Sequence, residues 1–295
     1  MHIQNQFDTL LTPMLYHHFE LGMASVPTVR ESLFTVRPST MATEKGVGIG
    51  GMSVDAWDVY KQSGSKGSLE FSQLYTQTYT HVEYPVKFSV KKQLLMNDQY
   101  GVIQRQLQAI GISAANKMEV DAATLLNNAF ATTTWSDGQF LCDTDHPVGS
   151  TVHSNDGSTA LSEAAISATR ILMMRFPDDK GNILGVMGDE LLVPPELEDT
   201  ALKYVNSILN ADSGNNAINP QQGRFNVIAV PRLTDTNNWF MASSAWRKQV
   251  VNWYEREPLT IMQVDEDTTD LVYEAKLHYS FGVDDWRWIY GHAVA

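Results

Sequence analysis

One stretch of this sequence restricts the possible fold more than any other. Between residues 99 and 129, apolar side chains recur at intervals of three or four, which places them along one stripe of an α-helix. We expect Asn97 or Asp98 to cap this helix, which at 1.5 Å per residue would be roughly 46 Å long and would bend at Gly111. A helix several times longer than the average of about 11 to 12 residues must lie along a large, flattened body. The stripe consists of Ile103, Leu107, Ile110, Ala114, Met118, Ala122, Leu125 and Ala129.

A long β-hairpin is predicted before this helix. Residues 53–62 and 68–80 are rich in Thr, Tyr and Trp, and the turn-forming residues 63–67 separate them. Because polar side chains occur on both faces, the hairpin should project from the body or lie along a neighbouring chain. Residues 81–90 alternate apolar and polar side chains, which predicts a half-buried strand. Pro85 indicates either an edge position for this strand or a missing hydrogen bond within the sheet.

The segment before the hairpin shows no sustained period. Residues 1–43 are therefore interpreted as an arm that is helical at most in part. Four glycines follow, but a phosphate-binding glycine loop should come after an apolar strand and open a helix. Here the glycines precede a β-prone run, so we interpret them as hinge or turn residues without a nucleotide site. They are Gly46, Gly48, Gly50 and Gly51.

The chain after the long helix has the pattern of a mixed α/β region. Ser162 opens a helical pattern, and two prolines stop a short apolar run that reads as a buried strand. The end of the chain returns to the alternation typical of β-strands. The predicted elements are helices at 162–176 and 195–209, strands at 190–195, 224–230 and 238–243, and β alternation at 271–279.

The stretch that looks most like a catalytic site is QFLCDTDHPVGS, which contains the only cysteine, Cys142, four positions before His146. A catalytic thiolate needs a base within reach and a feature that lowers its pKa. Asp143 and Asp145 would instead raise the pKa of the thiol. We favour a semi-buried loop cysteine in a turn, and a cysteine-dependent hydrolase using Cys142 and His146 stays as the weaker alternative. Replacing Cys142 should therefore be tolerated, whereas disrupting the turn at Gly138 or Pro147 should not.

Metal and base-stacking sites find equally little support. Zinc prefers three or four Cys or His ligands at short spacings, whereas His153 lies seven residues beyond His146. The acidic run 265–270 lacks the glycine and the distal glutamate of a calcium loop. In the sequence WRW at 286–288, the two tryptophans are interpreted as packing residues at a strand end. We predict no metal, no cofactor and no catalytic residue.

The charge balance limits the partners that the chain can bind. The formal net charge is −13. This charge opposes sequence-independent binding of nucleic acid, because such binding needs clustered Lys and Arg. An acidic surface suits a protein that lies near nucleic acid without adhering to it. A single cysteine cannot form an internal disulfide, and the sequence shows neither a leader pattern nor a membrane-length apolar run, so we expect a soluble protein.

Several segments, taken in order, resemble one family. They are LLMNDQYG at the start of the long helix, DGQFLCDTDHP, LLVPPELEDTALKYVNSIL, NPQQGRFNVIAVPRLTDTNNWFMAS and YSFGVDDWRWIYGHA. Together they are similar to the major head subunit family of phage Mu and its prophage relatives, within the tailed-phage (Hong Kong 97-type) capsid lineage. The resemblance implies an α+β fold of that type, with an N-terminal arm, an extended β-hairpin loop, a peripheral domain built on a spine helix, and an axial domain. On this chain these parts would be residues 1–43, 44–90, 91–161 and 162–270, with residues 271–295 returning to the peripheral domain.

The function implied by the resemblance is assembly. Many copies would form pentamers and hexamers that close into an icosahedral shell around double-stranded DNA, without sequence-specific binding or membrane contact. A scaffold or a protease acting during assembly is compatible with this. The protein would be made in the bacterial host cytoplasm and would end in the virion capsid. Candidate subunit contacts lie in the hairpin at Trp57, Tyr60, Lys66, Phe71, Tyr75 and Tyr79.

Two further alternatives stay open besides the hydrolase. One is the shell protein of a cargo-enclosing compartment on the same fold. The other is a phage neck or tail protein, because a long helix with a hairpin is also compatible with that role.

Overall fold

The computed structural model of the 295-residue chain describes residues 16–49, 73–91, 101–209, 218–264 and 271–295. The helices of these ranges are α1 (16–24), α2 (Arg30–Leu33), α3 (Val102–Asn127), α4 (Glu163–Met174), α5 (Pro195–Asn206) and α6 (Ser244–Val250), with a 3-10 helix at Trp286–Trp288. The strands are β1 (Thr35–Pro38), β2 (Thr43–Ile49), β3 (Gln73–Thr80), β4 (Val82–Val90), β5 (His146–Val148), β6 (Thr151–His153), β7 (Asp156–Gly157), β8 (Glu190–Val193), β9 (Asn226–Ala229), β10 (Trp239–Ala242), β11 (Val251–Val264), β12 (Leu271–Val283) and β13 (Ile289–His292).

The predicted long helix is confirmed as α3, which has 26 residues and is about 39 Å long. It begins later than a cap at Asn97 or Asp98 would place it. The reason is Gly101, whose φ of 64° is left-handed and does not continue a right-handed helix. The predicted stripe faces the interior: Leu107, Met118, Ala122, Leu125 and Ala129 are buried.

A four-stranded sheet in the order β1-β11-β12-β4 lies beside α3. The long strands β11 and β12 are antiparallel, β4 pairs antiparallel with β12, and β1 pairs parallel with β11. Among the described strands β4 ends the sheet, which agrees with the edge position that Pro85 indicates. The strand is less buried than its alternation predicts, since Val82 and Val86 are exposed.

A five-stranded sheet in the order β7-β13-β10-β8-β9 forms the second half of the molecule. Each face of this sheet contributes side chains to a different hydrophobic core, because successive residues of a strand point to opposite sides. Leu191 and Met241 share a core with α4 and α5, whereas Leu192 and Phe240 share one with the end of α3. The sheet is therefore the middle layer between the long helix and the helix pair.

The helix and strand predictions of this second half are confirmed at α4, α5, β8, β9 and β10. Ser162 caps α4, because its side chain accepts a hydrogen bond from the Ala165 backbone N–H. Pro194 stops β8, and Pro195 occupies the first turn of α5, where its missing N–H costs nothing.

The glycine-rich segment was predicted as a hinge or turn, and this is wrong for Gly46 and Gly48. Both lie within β2, which pairs antiparallel with β3. A side chain at Gly46 would overlap the carboxylate of Asp284, so this glycine allows a close approach of β2 to the body. The predicted strand at 53–62, the turn at 63–67, Gly50 and Gly51 lie outside the described residues.

The C-terminal residues divide between the two sheets. β12 joins the four-stranded sheet, but β13 pairs with β10 and β7 in the five-stranded sheet. The boundary predicted at 271 therefore does not keep residues 271–295 together. Residues 286–288 form a 3-10 helix instead of a strand end, and the predicted packing role of Trp286 and Trp288 is confirmed by their burial. None of the helices in the described ranges has the length and apolar character needed to span a membrane.

Candidate functional site: the hairpin junction and the histidine junction

The hairpin formed by β2 and β3 is attached to the body through a half-buried carboxyl group. The Tyr79 hydroxyl donates a hydrogen bond to Asp284, and Asn252 Nδ2 donates to the same carboxylate at 2.9 Å. A side chain at Gly282 would collide with the ring of Tyr79. We call this set, with Gly46, the hairpin junction.

The electrostatics of the hairpin junction keep the Tyr79 hydroxyl protonated. Burial raises the pKa of Asp284 above the ordinary carboxyl range, while the bonds from Tyr79 and Asn252 and the nearby Arg37 oppose that rise. Burial and the neighbouring carboxylate raise the pKa of the Tyr79 hydroxyl, so it stays a donor. The junction therefore holds the hairpin by hydrogen bonds rather than by an ion pair.

The predicted contact residues of the hairpin differ in their exposure to solvent. Tyr79 is 3% exposed and is committed to its own chain, with the Tyr254 ring 5.3 Å away. Tyr75 is 38% exposed. Trp57, Tyr60, Lys66 and Phe71 lie outside the described residues.

A second buried site follows the long helix, and we call it the histidine junction. His146 is fully buried, with Nδ1 2.6 Å from Asp137 Oδ2 and Nε2 3.0 Å from Asn155 Oδ1. Its ring stacks on Trp286, with centroids 4.3 Å apart. Asn155 Nδ2 donates to the carbonyl oxygens of Leu141 and Ile289. The junction thus ties the segment after α3 to β5 and to β13.

Cys142 lies near the histidine junction but is not activated by it. Both nitrogens of His146 are already held by Asp137 and Asn155, so the imidazole cannot serve the thiol as a base. Cys142 is 2% exposed. Burial, followed by the charge of Asp156, raises the pKa of the thiol well above its ordinary value. The hydrolase alternative has no support in this geometry, and the predicted semi-buried cysteine is in fact fully buried.

The candidate metal ligands do not form a cluster within the described ranges. His146 and His153 are opposite one another in the β5–β6 pair, but no group of three or more His, Cys, Asp or Glu side chains in those ranges could hold an ion. Asp265, Asp267 and Asp270 lie outside the described residues.

Sequence reasoning missed the partners that make these junctions. Asn155, Asp137 and Asp284 are single polar residues in turns or at strand ends, and nothing local distinguishes them from exposed ones. The buried ion pair of Arg247 with Glu190, at 2.8 and 2.9 Å, was missed for the same reason. Only their burial against distant segments reveals them.

Large exposed apolar side chains lie on the outside of both halves of the described structure. The segment around the end of α5 carries several of them, with Leu209 and Ile218 forming an isolated β-bridge. Isolated apolar residues on a surface are normal, but groups of them are typical of protein–protein contacts. The most exposed are Met41, Val86, Val152, Ile183, Met187, Ile208, Ile218 and Met262.

Two sheets joined by a long helix, with a hairpin attached to the body, define a class of protein with solved members. The bacteriophage JBD30 capsid has a similar fold, with a TM-score of 0.53 and 16% identity over 93% of this chain and 67% of that chain. The capsid of the native GTA particle gives 0.57 and 12%, with 90% of each chain covered. The virus-like particle from Pyrococcus furiosus gives 0.53 and 10%, over 97% of this chain and 98% of that chain. The fold is therefore the α+β fold of Hong Kong 97-type capsid subunits, as predicted.

The family follows from the sequence match. The model of the phage capsid protein family matches residues 75–291, and the chain belongs to this family. It is a major capsid protein, a structural subunit of a phage head shell. No curated protein sequence matches the chain.

Proposed function

We propose that this protein is the major head subunit of a phage or prophage of the Mu-like group. Its copies form pentamers and hexamers that close into an icosahedral shell around double-stranded DNA. The observation that carries the proposal is the family match over residues 75–291, together with a fold that gives one subunit several separate surfaces. The Mu-like assignment rests on the motif resemblance from LLMNDQYG to YSFGVDDWRWIYGHA.

The shape of the subunit suits ring formation. Head-to-tail contacts between identical chains close into rings, and rings need further surfaces to meet other rings. The exposed edge strand β4, the hairpin with exposed Tyr75 and the apolar residues Ile208 and Ile218 supply such surfaces on different elements. Trp57, Tyr60, Lys66 and Phe71 extend the proposed contact set along the hairpin.

The charge of the chain suits DNA enclosure without adhesion. At a net charge of −13, the chain repels phosphate within about 8 Å at physiological salt. Enclosed DNA would lie against the inner wall of the shell without being bound at defined positions. A scaffold or protease that acts during assembly, and synthesis in the host cytoplasm before incorporation into the virion, are parts of the same proposal.

Electron microscopy of the overexpressed, purified full chain tests the proposal. Hexameric and pentameric rings or closed shells are expected. A monodisperse monomer at every salt concentration and pH would contradict it. Tyr75→Ala should reduce assembly without lowering the melting temperature of the free subunit, and the matched control Thr78→Ala tests a neighbouring site on β3.

A cargo-enclosing compartment is the second candidate, because the virus-like particle from Pyrococcus furiosus has a similar fold over nearly the full length of both chains. The absorbance ratio of particles purified from cells separates the two candidates. An excess at 260 nm that survives nuclease supports a genome-enclosing head, whereas a protein spectrum with a co-purifying second protein supports a compartment.

A further inference from the structure

His81 occupies the point where the hairpin meets the body. It is the single residue between β3 and β4, and its side chain is 8% exposed. Nε2 lies 3.1 Å from Ser39 Oγ, in the connection that leads into β2, and Nδ1 lies 3.0 Å from Ser280 Oγ in β12. One imidazole therefore ties both ends of the hairpin to the four-stranded sheet.

The hydrogen bonds around this ring define which nitrogen carries the proton in its neutral form. The Ser39 hydroxyl donates to Glu44 Oε1 at 2.6 Å, so its oxygen can only accept from His81 Nε2–H. In the neutral ring, Nδ1 then accepts the hydroxyl proton of Ser280. A second proton on His81 would reverse this bond, because the Ser280 hydroxyl would have to rotate its hydrogen away and accept from Nδ1–H.

The charged groups around His81 come from three strands. His278 on β12 has its ring 5.9 Å away and edge-on, Arg256 comes from β11, and Glu44 comes from β2. Burial, His278 and Arg256 lower the pKa of His81 below its ordinary value, and Glu44 opposes them. The added charge would therefore be placed in a buried site beside another cation.

We propose that His81 is a proton-operated catch for the hairpin. In its neutral form it fixes the hairpin ends to β12, and on acidification the charged ring leaves its partners and the hairpin ends loosen. The sign follows from the direction of the shift: a histidine with a lowered pKa contributes stability above its ordinary pKa of about 6.5, and this is lost as the pH falls through the lowered value. The proposal rests on the fold of one chain and holds whether or not the chain assembles.

Hydrogen exchange of the full chain, measured from about pH 7.5 to about pH 4.5 and corrected for the intrinsic exchange rate, tests this catch. Amides of residues 76–82 should lose protection by about tenfold or more across a midpoint below pH 6.5. His81→Gln should remove that transition, and His17→Gln, which deletes an exposed histidine on α1, should leave it unchanged.

Charge variants keep the proposal testable if His81→Gln fails to fold. Glu44→Gln removes the carboxylate that favours the charged ring, so the midpoint should move to lower pH. Arg256→Gln removes a repelling cation, so it should move to higher pH. Shifts in these opposite directions support the catch. A flat wild-type profile, a midpoint that neither variant moves, or a full transition in a folded His81→Gln protein would overturn it.

Discussion

At the scale of single residues, two buried histidines are held by different sets of hydrogen-bond partners. The orientation of Asn155 is set by two backbone carbonyls, so its oxygen faces His146 and requires Nε2–H, while Asp137 faces Nδ1. His292 instead accepts from the Thr159 N–H at Nδ1 and donates to Thr169 at Nε2, since the Thr169 hydroxyl proton goes to Ala165 O. The His146 ring therefore meets a side-chain amide at Nε2 and a carboxylate at Nδ1, whereas the hydrogen bonds of His292 are those of a neutral imidazole.

His292 predicts an acid-sensitive fold. Burial lowers its pKa from about 6.5 to about 4. Its stabilising contribution is therefore complete above pH 6.5 and is lost as the pH falls toward 4, by up to about 3 kcal/mol. Denaturant unfolding of the free subunit at pH 7 and pH 4.5 measures this, and His292→Gln should remove that part of the pH dependence while His17→Gln should not. Equal pH dependence in wild type and His292→Gln would contradict the prediction.

Cys142 predicts an inert thiol. Because it is buried and its pKa is raised, a thiol reagent at pH 8 should label the denatured chain but not the native one. Cys142→Ala should lower the free energy of unfolding by only about 1 kcal/mol and should leave particles seen by electron microscopy unchanged. Rapid labelling of the native protein, or loss of assembly in a stable variant, would reverse this interpretation.

At the scale of elements, glycines decide how α1 crosses α3. A side chain at Gly111 would overlap the Phe19 carbonyl oxygen, and one at Gly22 would overlap the Gln108 carbonyl oxygen. Each helix therefore packs a glycine directly against the backbone of the other. The sequence suggests a bend at Gly111, whereas the structure assigns it a contact that only glycine allows.

Gly111→Ala should destabilise the protein although alanine is the better helix former. Its propensity gain of about 1 kcal/mol is opposed by an overlap with backbone, and forcing the helices apart costs about 1 to 3 kcal/mol. Urea unfolding of the free subunit measures the net change. Ser113→Ala, at an exposed position on α3, is the control and should change stability by less than about 0.5 kcal/mol. A more stable Gly111→Ala protein would show that α1 does not hold this crossing.

The ion pair of Arg247 on α6 with Glu190 on β8 predicts a large single-residue effect. Both side chains are buried and the contact is bidentate. Arg247→Met leaves the carboxylate buried without its partner, which should cost about 3 to 5 kcal/mol. Lys276→Met, which removes solvent-screened pairs with Glu83 and Glu257, should change the melting temperature far less. Similar effects for the two variants would show that burial does not determine how much an ion pair contributes to stability.

At the scale of the whole molecule, Asn155 connects segments that are distant in sequence. Its side chain bonds Leu141 O, Ile289 O, the Asp143 N–H and His146. Asn155→Ala should lower the free energy of unfolding by about 3 kcal/mol or more, because several buried groups lose their partners together. Calorimetry should show a lower melting temperature, while the exposed turn variant Asn237→Ala should match wild type. An unchanged melting temperature for Asn155→Ala would mean that water or neighbouring groups replace these bonds.

Local patterns predicted the elements of this protein well. The three-to-four spacing from Leu107 to Ala129 identified α3, Ser162 identified the start of α4, and the two prolines identified the boundary of β8 and α5. Each of these signals acts within a few residues, since helix periods, caps and missing N–H groups operate locally. The exclusion of a reactive Cys142 also followed from its neighbouring carboxylates.

Tertiary structure alone decided where the elements go. β12 and β13 are separated by only a few residues but join different sheets. Gly46 is a strand residue that pairs with β3, and its missing side chain leaves room for Asp284. The hydrogen bonds of His146, His292 and His81 depend on partners up to 199 residues away. A sequence shows which side chains can donate, accept or be buried, but burial and the partner in space decide which of them do.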